Sequence, residues 1–136
     1  MSRAESTREV SNRAVPEDVQ QAVRAARDKK AGDLVLLDLR ELAGFTDYFV
    51  ICTGQNLRQA RAIADAVEEV LRTRGTRPAH VEGYEQGEWI LLDYFDFIVH
   101  VFLPQQRTFY ALEGLWGSAA RVPVPEEPPP PSPPPA

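Results

Sequence analysis

Residues 83–102 constrain this chain more than any other segment, because they hold two successive apolar runs that an exposed strand does not tolerate. Residues 89–94 and 97–102 read as strands apolar on both faces, so they need cover above and below. With a two-residue turn at Phe95 and Asp96, Tyr94 pairs with Phe97, Leu92 with Val99 and Ile90 with Val101, all on one face. Trp89, Leu91, Asp93, Ile98, His100 and Phe102 then share the other face, where His100 stands opposite Leu91 and diagonal to Asp93. Tight turns of this kind favour Gly or Asn at positive φ, and Phe95 suits them poorly. A longer or bulged turn with a shifted face assignment is the alternative.

The charge pattern around the hairpin is one-sided. From residue 79 to residue 106 there is no Lys or Arg, while Glu82, Glu85, Glu88, Asp93 and Asp96 all fall there. A surface that is apolar and negative suits a basic protein better than a nucleic acid, whose affinity comes from phosphates neutralised by clustered cations. The whole chain agrees, with a net charge of −5 and a pI near 5.0.

The rest of the pattern alternates in period. Val19, Ala22, Val23 and Ala26 recur at helical spacing after Pro16 and before Gly32. Residues 34–39 and 48–53 are continuous apolar runs, expected in the middle of a sheet. Asn56 and Gln59 form a capping pair ahead of Leu57, Ala60, Ile63, Ala64, Val67, Val70 and Leu71, a helical face that Gly75 ends. Residues 78–82 read as a short strand, and Pro104 opens a last helix whose Phe109, Leu112 and Leu115 or Trp116 face inward. The fold class expected is α/β: a single domain with a mixed sheet of about five strands and three helices. Only three helices are available as cover, so part of the second hairpin face is expected to stay open for another chain.

The chain has 136 residues, enough for one domain of about 100 residues once the ends are set aside. Residues 1–15 read as a disordered extension, 16–118 as the domain and 119–136 as a proline-rich disordered tail, since nine of the twelve prolines fall in residues 123–136. The first residues lack the apolar core of a secretory signal and no run reaches the ~20 apolar residues of a membrane span. A cytoplasmic protein is expected.

Catalytic chemistry finds little support. Two acids on one strand face, two positions apart, are needed to hold Mg²⁺ for nucleotidyl transfer, and the chain has no Asp-x-Asp. Asp93 and Asp96 are three apart across a turn. His100 and Asp93 admit an acid–base pair, but a structural histidine hydrogen-bonded to a neighbouring acid fits better without a nucleophile. Cys52, the single cysteine, reads as a buried apolar residue, and His80 as a strand-edge residue. Residues 53–56 with Arg58 and Arg61 offer a weak anion site at a helix start, for which a tight turn and a cap are the simpler account.

Several stretches coincide with one family: residues 45–54, 63–65, 81–83, 89–93, 96–102 and 110–117. Together they resemble the ribosomal silencing factor family, also called Iojap, over residues 16–118. The resemblance implies a nucleotidyltransferase-like fold without the catalytic acids, no cofactor or metal, and no enzymatic activity. It implies a translational repressor that binds the large ribosomal subunit through ribosomal protein fourteen of that subunit, blocks joining of the small subunit under nutrient limitation, and is a homodimer when free. Trp89, Asp93, Asp96 and His100 match the family's Trp-x-x-x-Asp and Asp-x-x-x-His pattern, and Tyr84 its Glu-Gly-Tyr segment. The partner surface is expected to use Tyr84, Trp89 and Leu91 as apolar anchors, with Glu88, Asp93 and Asp96 facing basic residues and His100 within the same region. Phe95 stands where the family commonly has Gly. The rival readings are a small metal-dependent nucleotidyltransferase-like enzyme using Asp93 and Asp96, and a dimeric adaptor unconnected with ribosomes.

Overall fold

The computed structural model describes residues 15–42, 44–111, 114 and 119–124. Their elements run α1 (Glu17–Asp28), β1 (Gly32–Asp38), β2 (Tyr48–Thr53), α2 (Leu57–Thr73), β3 (His80–Glu82), β4 (Trp89–Asp93), β5 (Phe97–Phe102), α3 (Pro104–Tyr110) and β6 (Ala120–Val122). The expected inward positions Leu112, Leu115 and Trp116, and the side chain of Phe109, lie outside the described residues.

The strands form one mixed sheet in the order β3-β4-β5-β2-β1-β6. Only β2 and β5 pair in parallel, from Tyr48 beside Phe97 to Thr53 beside Phe102. The other neighbours are antiparallel. The two parallel strands occupy the centre, which explains why every residue of both is buried and why their sequences do not alternate. The sheet has six strands rather than five. β6 lies in residues 119–136, the segment whose composition reads as tail; three residues carry too little alternation to reveal a strand.

One face of the sheet is covered by α1 and α2. Val19, Ala22, Val23 and Ala26 of α1 and Ala60, Ile63, Val67 and Leu71 of α2 pack with Val50, Cys52, Ile90, Leu92, Val99 and Val101 in the larger core. Leu37, Leu39, Phe49, Ile51, Ile98 and Phe102 form a second cluster on the opposite face, with Trp89 and Leu91 packed against it. Cys52 is fully buried, and burial pushes its thiol up to about 12, so it is a core residue rather than a nucleophile.

The start of α2 carries the expected capping pair. Asn56 Oδ1 accepts the Gln59 backbone N–H at 2.9 Å and Gln59 Oε1 accepts that of Gln55 at 2.7 Å. An Asn56→Ala variant is expected to lose about 1 kcal/mol in urea unfolding; an unchanged midpoint and slope would show that the cap adds nothing. Gly54, just before it, has no room for a side chain, because a Cβ there would lie 2.8 Å from the Ala60 backbone nitrogen. No described helix is long and apolar enough to cross a membrane.

Candidate functional site

The hairpin closes in a two-residue turn. Tyr94 N–H donates to the Phe97 carbonyl at 2.9 Å, and the ladder pairs Leu92 with Val99, Leu91 with His100 and Ile90 with Val101. The face assignment read from alternation therefore stands. Phe95 sits at φ 69, the left-handed region that costs a side-chain-bearing residue roughly 1 kcal/mol or more. Surrounding bonds hold it there. Asp93 Oδ1 accepts the Phe95 N–H at 2.8 Å, Thr46 Oγ1 donates to the Phe95 carbonyl at 2.8 Å, and Asp47 N–H donates to the Asp96 carbonyl at 2.9 Å. Since the Phe95 ring is 71% exposed, Phe95→Gly is expected to relieve strain at little packing cost. Thermal unfolding should move up, by no more than ~1 kcal/mol because glycine also loosens the unfolded chain; a clear loss of stability would mean the ring packs.

His100 departs from the sequence expectation. It makes no bond to Asp93, whose carboxylate is engaged in the turn. Instead Trp89 Nε1–H donates to His100 Nδ1 at 3.0 Å, which puts the imidazole proton on Nε2, a buried atom with no hydrogen-bond partner. The residue is 3% exposed, and burial holds its pKa down to about 3, so the ring is neutral at physiological pH. His100 thus lies beneath the second face, buried in the isolated chain rather than exposed beside the hairpin acids.

Above it runs a row of rings. Phe45 meets Phe49 at 6.2 Å, Phe49 meets His100 edge-on at 4.5 Å, His100 lies 5.9 Å from Trp89, and Trp89 lies 4.5 Å from Tyr110. These centroid distances lie within the favourable range for aromatic pairs. Trp89 also stacks on Phe102 at 5.0 Å. The row is buried in the middle and open at its ends, with Phe45 58% and Tyr110 42% exposed. Leu91 is half-buried beside it, and the register puts Glu82 across from Leu91 and His80 across from Asp93 on this face. The expectation of an open second face holds only for its margins; the central ring is covered.

Tyr84 is not part of this surface. It packs against the α-helical core, its hydroxyl donates to Asp65 Oδ2 at 3.1 Å, and Arg61 Nε donates to its carbonyl at 3.0 Å with the guanidinium over its ring. Arg61 also donates to the Glu85 carbonyl, so it ties the loop before β4 to α2 and has no phosphate role in this arrangement. The anion reading of residues 53–56 fails likewise. Gly54 N–H donates to the Phe102 carbonyl at 2.8 Å, and Thr53 Oγ1 accepts from buried Arg107 at 2.9 Å. Glu88 is exposed and accepts from Gln106 at 2.9 Å, and Asp96 is exposed at the turn. Among the described residues no three His, Cys, Asp or Glu side chains are placed to hold a metal ion.

Sequence reasoning missed Phe45 as a surface residue. It precedes the apolar run of β2, and only the loop's attachment to the hairpin turn through Thr46 and Asp47 leaves its ring outside. An aromatic just ahead of a buried strand, two residues before Asp47, was the available signal.

These features define a single-domain α/β protein with an aromatic face bordered by acids. The family model described as "Ribosomal silencing factor during starvation" matches residues 12–135. The chain belongs to the ribosomal silencing factor family. A relative named ribosomal silencing factor from Halalkalibacterium halodurans is 42% identical over 104 residues, 76% of this chain and 89% of that protein. A crystal structure of a Chromobacterium violaceum protein superposes with a TM-score of 0.73 at 38% identity, covering 74% of this chain and 84% of the other. A mouse protein named for mitochondrial assembly of the ribosomal large subunit is 28% identical over 102 residues, 73% of this chain and 45% of its own length. The family's description names a silencing factor and no catalytic activity.

Proposed function

We propose that this protein is a cytoplasmic translational repressor that binds the large ribosomal subunit through ribosomal protein fourteen of that subunit and sterically blocks joining of the small subunit when nutrients run short. The observation that carries the reading is the aromatic row on the second sheet face, open at Phe45 and flanked by Leu91, with Glu82, Asp93 and Asp96 at its border. Apolar anchors ringed by charges are the usual energetic pattern of protein interfaces, and ribosomal proteins are basic enough to complement these acids. The family description supports the starvation setting, and the name of the mouse relative supports the choice of the large subunit.

On this reading the contact surface consists of Phe45, Leu91, the exposed edge of Trp89, Asp93 and Asp96. Glu88 lies at its far border, and Tyr84 and His100 hold the surface in place from below. The free protein is a homodimer that gives way on binding.

Sedimentation with separated ribosomal subunits tests the proposal. The protein should pellet with the large subunit and not with the small one, and its addition should lower the yield of joined subunits. Retention by the small subunit alone, or by neither, would overturn it.

A further inference from the structure

The acidic face has a counterpart at the other edge of the sheet. Where α1, β1 and β6 meet, two adjoining hollows of about 620 and 330 Å³ share Arg27, Leu36, Val122 and Val124 as walls. Their floor is apolar, made by Leu34, Leu36 and Val122, and Arg24, Arg27, Lys30 and Arg121 border them. Among the described residues no acid lines either hollow. In a chain of net charge −5, such a grouping of cations over apolar floor is a local reversal of sign.

We propose that this groove is the docking site of the chain's own residues 125–136, with Glu126 and Glu127 set against Arg27, Lys30 and Arg121. The described chain arrives there, since Pro123 and Val124 themselves line the smaller hollow. The β6 ladder pairs Ala120 with Asp38, Arg121 with Leu37 and Val122 with Leu36. Described pairing stops at Val122 beside Leu36, and Val124 lines both hollows, the larger of which Lys30 borders.

Composition favours this occupant over others. The sequence after Val124 is Pro125-Glu126-Glu127-Pro128, two carboxylates held between prolines, and then a proline run. Proline-rich chain is already extended, so ordering it along a groove costs little conformational entropy. A tethered segment also has an effective concentration on the order of millimolar, which lets weak ion pairs suffice. Val15 also lines the smaller hollow, but residues 1–14 before it in sequence carry three Arg against two Glu and match its charge poorly.

The test uses the full-length chain and its charge reversals. Amide exchange is followed at Arg121 and Val122, together with the amide shifts of Arg27 and Lys30, in the wild type, in Glu126→Lys/Glu127→Lys, and in that variant combined with Arg27→Glu and Arg121→Glu. Reversal in the tail is expected to speed exchange at β6 on the order of five-fold, as the loss of two exposed ion pairs predicts. The combined variant should regain most of the protection, and salt should mimic the reversal. Exchange and shifts unmoved by the tail reversal would overturn the proposal, as would a combined variant as open as the tail reversal alone while circular dichroism shows it folded. Shifts at Arg24 and Arg27 on adding an oligonucleotide, with β6 exchange independent of Glu126 and Glu127, would assign the groove to nucleic acid instead.

Discussion

Lowering the pH from 7 to 5 is expected to destabilise the domain by about 2 kcal/mol through His100 alone. In the unfolded chain the imidazole titrates near 6.5, and in the fold burial lowers it to about 3. Between those values the unfolded state binds a proton that the folded state does not, so acid favours unfolding. The contribution is fully present above about pH 6.5 and is lost as the pH falls toward 3. No charged side chain is among the described contacts of the ring, whose neighbours are Trp89, Phe49 and Phe102, so nothing stabilises the imidazolium. Urea unfolding at pH 7 and at pH 5 checks this against His100→Phe. The variant loses the acceptor for Trp89 Nε1–H, a cost of about 1 kcal/mol at both values, and should show a flatter pH dependence. Parallel losses in the two proteins would show that His100 is charged or solvated in the fold. In the wild type its ring resonances should not titrate between pH 8 and pH 5.

Removing the exposed end of the aromatic row should separate binding from folding. Phe45→Ala truncates a ring that is more than half exposed, so its effect on stability should be under ~1 kcal/mol. A central interface aromatic is worth about 2 kcal/mol or more on truncation, so affinity for the large subunit should fall about 30-fold. Adding Asp96→Lys places a cation in front of a basic partner and should bring the loss past about 100-fold, mainly by slowing association and reversing its salt dependence. Asp93→Asn serves as a graded control: an amide oxygen can still accept the Phe95 N–H, so the turn persists while the charge is gone. Trp89→Ala, by contrast, removes the stack on Phe102, the contact with Tyr110 and the bond to His100, and its expected loss of about 3 kcal/mol makes it a folding variant as much as a surface one. Co-sedimentation of the folded Phe45→Ala/Asp96→Lys protein at the wild-type level would place the ribosome contact on another surface.

How far these expectations reach back to the sequence differs by residue. The fully apolar runs of β2 and β5 announced their central position, because a strand without alternation must be covered on both sides. The Asn56 and Gln59 pair announced the start of α2, since capping is a local interaction between residues three apart. Hairpin register followed from side-chain alternation once the turn was taken as two residues, even with Phe95 in an unfavourable conformation. The acids bordering the second face were visible as a run of sequence without Lys or Arg.

Partner choices between elements were not legible in the same way. Asp93 lay within reach of both His100 and the Phe95 N–H, and the turn claimed it; His100 then took its bond from Trp89, eleven positions away. Arg61 read as a candidate phosphate ligand until the loop at Tyr84 and Glu85 folded back to accept its protons. Phe45 lay outside the apolar run of β2 and had no surface reading of its own until Thr46 and Asp47 fastened their loop to the hairpin turn. Local pattern thus determined the elements, their buried faces and the acidic character of one sheet edge, because those depend on periodicity and on charge along the chain. Tertiary structure decided the strand order, the sixth strand, the covered centre of the second face and the basic groove, because each requires segments distant in sequence to compete for the same neighbours in space.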